Sequence, residues 1–200
     1  MDDRRPGADR SDAGREAEPA GPSRDKLRGP VTRAIPEGDT RERLVCTDCG
    51  FVNYLNPKIV VGSVVAVDGR YLLCRRAINP RLGYWTLPAG YMETGESAAD
   101  GARREAWEEA RARIAIDRLL AVYDIPRIGQ VQLIYRATLA VPGYAPGEES
   151  LDVRMFGWDE IPWTEIAFPT VRWALGHHAA VLGQAAFPVF GNPPGEPTDP

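Results

Sequence analysis

The sequence predicts an α+β fold in which a mixed β-sheet lies between helices, as a three-layer α/β/α sandwich. Three observations predict it: runs of β-branched residues before and after the midpoint, an acidic helix between them, and apolar residues at helical spacing further on. The chain has 200 residues, of which 44% are hydrophobic, so it can bury one substantial core. We therefore expect one main domain.

The strands are predicted by composition and by turn signals. Residues 59–67 and 71–76 are apolar runs on either side of an Asp68-Gly69 turn, which is typical of a hairpin. Residues 170–183 carry apolar side chains at helical spacing and form a predicted closing helix. Further strands are predicted at residues 85–87, 114–123, 131–139 and 153–158.

The acidic helix begins where Ser97 and Asp100 form a capping pair. Positions three and four apart lie on the same side of a helix, so the spacing places the carboxylates of Glu105, Glu108 and Glu109 together. Small residues at another side predict close packing on a sheet: Ala99, Ala102, Ala106 and Ala110.

These carboxylates predict a site for a divalent cation. Glu105 and Glu109 are like charges at the four-residue spacing, which costs a few tenths of a kcal/mol in an isolated helix, and a cation would relieve it. Mg²⁺ prefers oxygen ligands and commonly binds through one or two carboxylates together with substrate phosphates. The sequence does not separate Mg²⁺ from Mn²⁺. The alternative is a solvated face on which arginines pair with the glutamates.

The loop before the helix and the helix together resemble the signature of the Nudix hydrolases. Gly90 is followed after five residues by Glu96, and after seven more by Arg104-Glu105-x-x-Glu108-Glu109. This is the spacing of the Nudix box. The resemblance implies the Nudix fold and hydrolysis of the diphosphate bond in nucleoside diphosphates linked to another moiety, with Mg²⁺.

The resemblance also implies roles for the box residues. The metal ligands would be Glu105, Glu108 and Glu109, with Glu96 assisting and Arg104 orienting the carboxylates by ion pairing. Gly90 would let the backbone approach the metal or the phosphate closely, because it has no side chain. Each role is inferred only for a position that matches the Nudix box in this sequence.

The general base is left open by the sequence. In some relatives it lies within the box, and in others it is a carboxylate on a downstream loop, for which Glu148, Glu149 and Asp152 are candidates. The alternative reading of this segment is a solvated acidic loop. One position departs from the family, because Arg111 stands where a glycine usually follows the box. Since that glycine serves as a left-handed helix stop, we expect a longer or differently ended helix.

Two later segments narrow the range of expected substrates. Residues 125–131 and 158–169 resemble segments of the branch that acts on ADP-ribose and FAD, from which AMP would be released. The branch that cleaves NADH or other dinucleotides ranks second, because its Ser-Gln-Pro-Trp-Pro-Phe-Pro signature is absent. A domain that senses a nucleotide without cleaving it is a further alternative, as is an isopentenyl diphosphate isomerase, whose catalytic cysteine context is not apparent.

Substrate-binding candidates follow from the chemistry of a nucleotide. Adenine is bound by stacking, and the aromatic candidates are Tyr84, Trp85, Tyr91, Trp163 and Phe168, of which Phe168 is the first to test. Arginine donates paired hydrogen bonds to phosphate oxygens, and the candidates are Arg75, Arg76 and Arg127. The alternatives are core packing for the aromatic rings and ordinary surface positions for the arginines.

The remaining segments predict the domain organisation. Residues 1–24 lack aromatic residues and are predicted to be disordered, residues 56–190 form the catalytic domain, and residues 191–200 a loose Pro-rich tail. Residues 25–55 resemble the zinc ribbon that precedes one Nudix branch, but only the knuckle of Cys46 and Cys49 is present. A structural zinc site needs four ligands, and the other two positions fall at about Asp25 and Arg28, so we expect no zinc here.

Net charge and cysteine content predict the class of partner and the cellular compartment. The net charge of -4 and a pI near 5.3 argue against nucleic-acid or membrane partners and favour a small-molecule nucleotide substrate. Three cysteines do not make a disulfide framework, and Met1 is followed by charged residues rather than an apolar signal, so we expect a cytoplasmic protein. The resemblance further implies a homodimer.

Overall fold

The computed structural model describes residues 28–195. These residues belong to two compact units that divide after Leu55. The predicted disordered segment 1–24, residues 25–27 of the ribbon-like segment and residues 196–200 of the predicted tail lie outside the described residues. Among the helices of the described part, none has the length and apolar character needed to cross a membrane.

The first unit contains a small antiparallel sheet. Its strands are β1 (Thr32–Ala34), β2 (Arg43–Val45) and β3 (Val52–Asn53), paired in that order. A tight turn between β2 and β3 is closed by two backbone hydrogen bonds of 2.8 Å, from the Cys46 N–H to the Phe51 carbonyl and from the Gly50 N–H to the Cys46 carbonyl.

The two cysteines of this turn differ in exposure. Cys46 is buried, Cys49 is exposed, and neither forms a disulfide. A hydrogen bond from the backbone N–H of Asp48 lowers the pKa of the Cys46 thiol. The backbone N–H of Arg28 donates to the Asp48 carboxylate at 3.0 Å. The turn that carries the cysteines is therefore contacted by Arg28, one of the two positions at which the resemblance to a zinc ribbon places the missing zinc ligands.

The second unit is built on a seven-stranded mixed sheet. The long strands lie in the order β10 (Ser150–Gly157), β5 (Arg70–Arg76), β4 (Lys58–Val67), β9 (Gln130–Leu139) and β8 (Ile114–Ile125). Two short strands complete it, β6 (Trp85–Thr86) against β5 and β7 (Ala89–Tyr91) against β4. β4 and β9 run parallel, and the other pairs are antiparallel.

Helices cover both faces of this sheet. Neighbouring residues of one strand point to opposite faces, and Leu72 packs in a cluster with Ala106 and Ala110 of helix α1 (Ala98–Ala110). Leu73 packs instead in a cluster with Leu175 of helix α2 (Pro169–Ala180). The α+β three-layer prediction is confirmed, and the predicted strands and helices are present with bounds that shift by a few residues.

The prediction for the start of α1 is confirmed, whereas the change expected at its end is not observed. As predicted, the Ser97 hydroxyl caps the helix by accepting the Asp100 N–H at 3.2 Å. The expected change at the other end does not occur, because the helix ends at Ala110 and Arg111 itself takes the left-handed conformation, with φ 48°. This conformation costs a residue other than glycine roughly 1–2 kcal/mol. The arginine therefore ends the helix as a glycine would, with strain in the backbone.

Candidate active site

A cleft of about 980 Å³ opens in the second unit, beside β7 and α1. All three glutamates of the predicted metal set line it, and so do Gly90 and Arg104. On another side the cleft is lined by the first turn of α2 and by apolar residues of β8 and β9. The sequence candidates from the box thus share one cavity with parts of the chain that lie far away in sequence.

The glycine of the box lies against the first glutamate. β7 pairs with β4 at Val61, and a Cβ atom built on Gly90 would overlap the carboxylate of Glu105. The next strand residue back, Ala89, donates its backbone N–H to Glu109 Oε2 at 3.0 Å. The short strand therefore approaches α1 so closely that a side chain at position 90 would displace a carboxylate.

Arg104 is bonded to three of the box glutamates. Its guanidinium donates to both oxygens of Glu96 at 2.8 and 3.0 Å, to Glu105 Oε1 at 2.8 Å and to Glu108 Oε2 at 2.9 Å. It also donates to the Tyr91 carbonyl at 2.9 Å, which ties the helix to β7. Because several bonds hold one planar group, the carboxylates around it have restricted orientations.

The glutamates of the site differ in burial and in pKa. Glu105 and Glu109 are buried, at 8% and 6% exposure, whereas Glu108 is exposed. Burial raises the pKa of Glu109 to about 8 and also raises the pKa of Glu105. The hydrogen bonds from Arg104 lower the pKa of Glu96 to about 2. Glu105 and Glu109 are therefore carboxylates whose charged forms need further positive charge nearby.

The donor set fits a hard divalent cation. Within residues 28–195, no three Asp, Glu, His or Cys side chains are gathered closely enough to hold a metal ion. Glu108 is bonded to Arg104, and Glu109 accepts the Ala89 N–H. The groups themselves are carboxylates, two of them desolvated at a cleft wall, and these are the ligands that Mg²⁺ and Mn²⁺ take.

A downstream loop brings further carboxylates to the cleft. The Ala145 N–H donates to the Ala110 carbonyl at 2.8 Å and the Gly147 N–H to the Glu109 carbonyl at 3.0 Å, so the loop caps the end of α1. A Cβ atom on Gly147 would overlap the carbonyl oxygen of Glu108. Glu148 and Glu149 follow and line the cleft. Asp152, the other downstream candidate, pairs with Arg154 at 2.6 Å and does not line the cleft.

The opposite side of the cleft holds an arginine and an aromatic ring. Phe168 is the N-cap residue of α2, and the Arg76 guanidinium lies 5.3 Å from the centre of its ring. Arg76 Nε also donates to the Pro80 carbonyl at 2.8 Å. Both residues line the cleft, as does Trp173 one turn further along α2. We call Arg76, Phe168 and Trp173 the aromatic wall, and Glu105, Glu108 and Glu109 the acidic wall.

Several substrate-binding candidates lie elsewhere. Trp85 is a core residue at 5% exposure, with its ring 4.9 Å from that of Phe156 in an edge-to-face contact. Arg127 lies in a short 3-10 turn, where the next residue, Ile128, reaches the cleft wall. Trp163 packs against Trp158. Within the described chain, the side chains of Trp85, Arg127, Trp163, Tyr84 and Arg75 are not part of the cleft wall.

Some residues of the cleft wall were missed by the sequence reasoning. Trp173 sits inside a helical apolar pattern and carries no signal that separates it from a core residue. Gln130 and Gln132 begin β9 and both line the cleft. Polar side chains at alternate positions of a strand share one face, and this spacing was a usable signal.

Comparison with known proteins identifies the family. The model of the NUDIX domain matches residues 56–174, which is more than half of the chain. The chain belongs to the NUDIX family. A second family model, described as Nudix N-terminal, matches residues 29–55, the unit with the small sheet.

Individual relatives agree with this assignment. A NUDIX hydrolase structure from Nitrosomonas europaea is 46% identical, covers 81% of this chain and 93% of its own, and has a TM-score of 0.75. A MutT-like protein from Streptomyces ambofaciens is 38% identical over 102 residues, and the match spans 51% of this chain and 64% of that relative. An ADP-ribose pyrophosphatase from Methanocaldococcus jannaschii is 26% identical over 113 residues, 54% of this chain and 67% of that relative.

Proposed function

We propose that this Nudix chain hydrolyses the diphosphate bond of a nucleoside diphosphate derivative, with ADP-ribose or FAD as substrate and AMP as one product. The observation that carries the proposal is the pair of buried glutamates, Glu105 and Glu109, held at a cleft wall against a strand that has no side chain at position 90. Buried carboxylates without full compensation are unfavourable unless they bind something positive. A cleft of this volume also accommodates a nucleotide.

The reaction is written as attack by water on one phosphorus of the diphosphate. The water oxygen forms a new P–O bond, the bridging oxygen leaves with the other phosphate, and the proton of the water passes to a carboxylate. Two monophosphates result, one of them AMP if the substrate is ADP-ribose or FAD. Such transfer depends on positioning and on neutralising the charge of the phosphoryl oxygens.

The acidic wall would hold the cation. Glu105, Glu108 and Glu109 supply the ligands, and Mg²⁺ or Mn²⁺ bound there would neutralise charge on the phosphates and favour ionisation of a water. Arg104 holds Glu96, Glu105 and Glu108 in fixed orientations through the bonds described above. Gly90 leaves room for the Glu105 carboxylate, which a side chain at position 90 would displace.

The base is assigned to Glu149. It lines the cleft on a loop that is anchored twice to the end of α1, and its own carbonyl accepts the Ala77 N–H at 2.8 Å. The anchoring fixes the backbone on both sides of the carboxylate, which a general base requires for a constant reach to its water.

The aromatic wall would hold the adenine and the phosphates. Phe168 offers a ring face for stacking, and Arg76 offers paired donors to a phosphate oxygen. ADP-ribose is favoured by the segments 125–131 and 158–169, and a relative with 26% identity carries the name ADP-ribose pyrophosphatase. FAD shares the adenosine diphosphate portion and is therefore the second substrate to test.

The test is a panel of ADP-ribose, FAD, NADH and nucleoside triphosphates, each incubated with the protein and Mg²⁺ or Mn²⁺, with separation of the products. We expect AMP from ADP-ribose or FAD, and its loss in Glu108→Gln and Glu109→Gln. Glu165→Gln is the matched control, because Glu165 is exposed and lies outside the cleft wall. Cleavage of NADH alone would move the assignment to the dinucleotide branch.

A nucleotide sensor is the second candidate. It is favoured by one observation, that Arg104 occupies the space among the carboxylates with bonds to Glu96, Glu105 and Glu108. Tight binding of ADP-ribose without turnover, by a protein that also fails to bind Mn²⁺, would establish the sensor and remove the hydrolase.

Three accompanying assignments belong to the same proposal. We place the protein in the cytoplasm, in line with its free cysteines, and expect a homodimer, which light scattering of the purified chain will test. We expect the Cys46 and Cys49 turn to be free of zinc, which elemental analysis will test. A stoichiometric zinc content would overturn that expectation.

A further inference from the structure

Arg111 lines the cleft immediately after α1. The family usually has a glycine at this position, and the backbone here keeps the left-handed conformation that suits glycine, with φ 48°. The chain therefore carries a large cationic side chain at a position where the backbone conformation favours none. Strained positions of this kind concentrate at functional sites.

The charge of Arg111 is not balanced by a neighbouring carboxylate. Arg104 is bonded to several glutamates, and Arg76 donates to a backbone carbonyl. In residues 28–195, Arg111 forms no salt bridge, and its side chain is instead placed over the ring of Trp107, with 5.7 Å between the guanidinium carbon and the ring centre. Within the described residues, no carboxylate therefore competes with a phosphate for the guanidinium donors of Arg111.

The side chain is also held in place. Trp107 lies one turn back on α1, and the Arg111 N–H donates to the Trp107 carbonyl at 2.9 Å. Arg113 lies over the same ring at 5.2 Å, but Arg113 does not line the cleft. An arginine that stacks on an indole loses less freedom on binding than an unsupported one.

The charge of the cleft wall favours an additional cation, such as Arg111, for binding phosphate. Acidic residues outnumber basic ones in its wall, so a diphosphate entering the cleft meets repulsion that a bound cation offsets only in part. Arginine is the side chain best suited to paired hydrogen bonds with phosphate oxygens. The wall contains Glu93, Glu105, Glu108, Glu109, Glu148 and Glu149 against Arg76, Arg104 and Arg111.

We infer that Arg111 is a substrate-binding residue that donates hydrogen bonds to a phosphate oxygen of the diphosphate and so selects diphosphate over uncharged ligands. The inference rests on the proposed function in that the cleft takes a nucleoside diphosphate. It assigns to Arg111 a role in recognition in addition to its place at the end of the helix.

Calorimetric binding with Mg²⁺ present tests this assignment without turnover. The probes are α,β-methylene-ADP, whose phosphorus-carbon-phosphorus bridge is not hydrolysed, and adenosine, which lacks phosphate. The variant is Arg111→Gly, which suits the backbone conformation and is expected to fold at least as well as the natural chain. Arg111→Lys keeps the charge, and Arg113→Gln is the matched control on the same indole.

We expect Arg111→Gly to weaken α,β-methylene-ADP about tenfold while adenosine binding is unchanged, with Arg111→Lys intermediate and Arg113→Gln equal to the natural chain. Equal affinity of Arg111→Gly and the natural chain for α,β-methylene-ADP would overturn the assignment. So would an equal loss for both probes, or no binding of α,β-methylene-ADP by the natural chain. Binding that follows the expected pattern in a protein that releases no AMP keeps Arg111 in place and overturns the hydrolase instead.

Discussion

The acidic wall and the aromatic wall of the cleft are built in different ways. The glutamates of the acidic wall come from one helix within five positions, and their relation is fixed by helical geometry. The aromatic wall joins Arg76 at the end of β5 with Phe168 and Trp173 at the start of α2. The proposed metal ligands are thus set by the local sequence of one helix, whereas the proposed substrate-binding residues are brought together only by the fold.

The largest effect on kcat is expected when a glutamate of the acidic wall is replaced. Glu109→Gln should lower kcat by about 10²–10³-fold, because it removes one of the proposed metal ligands. The same change should stabilise the metal-free protein by about 1 kcal/mol at pH 8.5, since burial raises the pKa of Glu109 to about 8 and the natural carboxylate is then charged. Steady-state kinetics and thermal unfolding in EDTA measure the two effects. A loss of both activity and stability would contradict the assignment.

The next effect concerns the loop that links α1 to the proposed base. Gly147→Ala should lower kcat about 100-fold, because the new methyl group overlaps the Glu108 carbonyl and displaces the loop that carries Glu149. Glu149→Gln should reduce kcat to a similar level, and the double variant should be no worse than either single one. Full activity of Glu149→Gln with loss in Gly147→Ala would assign the loop a structural role only.

The aromatic wall should respond through binding. Phe168→Ala should raise KM about tenfold with kcat little changed, because stacking on a base contributes about 1–3 kcal/mol and is present before and during the reaction. Phe168→Tyr should restore KM. Tyr84→Ala is the aromatic control, since the Tyr84 side chain is outside the cleft wall in the described chain. A fall in kcat with unchanged KM would place Phe168 with the acidic wall instead.

The smallest effect is a pH dependence behind the aromatic wall. Burial lowers the pKa of His178, and its Nδ1 lies 3.4 Å from the Tyr71 hydroxyl. The unfolded chain takes up the proton near pH 6.5 and the folded chain only at lower pH, so stability falls as the pH drops through 6.5. In urea unfolding, the free energy of the natural chain should fall by about 1 kcal/mol relative to that of His178→Gln between pH 7.5 and 5.5. The comparison with the variant is needed because the raised pKa of Glu109 changes the stability of both proteins in the opposite direction over this range.

His178→Gln should flatten this dependence, because the variant cannot take up the proton in either state. His177 also has a pKa lowered by burial, so His177→Gln should remove a smaller, separate share. Equal pH dependence of stability in the natural chain and in His178→Gln would contradict the prediction.

The sequence was sufficient for the features that depend on short spacing. The cap at Ser97, the buried alanine stripe and the placement of the glutamates in one cleft all follow from helical periodicity. The mixed sheet followed from strand signals together with the family resemblance. The unequal burial of Glu108 and Glu109 did not follow, because it depends on the approach of β7 to the helix.

Other features depend on contacts that spacing does not encode. Trp85 and Phe168 are both aromatic residues near turns, and only the path of the chain places one in the core and the other in the cleft. The end of α1 was mispredicted, because the backbone conformation at Arg111 is imposed by the chain on both sides rather than by its own propensity. The docking of Gly147 on α1 joins segments that no periodic pattern connects.

The parallel pairing of β4 with β9 has a consequence for how the molecule forms. Lys58 lies beside Gln130 in this pair, so two strands about 70 residues apart must meet before the sheet is continuous. Hairpins such as β4 with β5 can close early, because only a turn separates them. During synthesis on the ribosome, the Nudix box thus emerges well before β9, and a newly made chain acquires its complete cleft only late in translation.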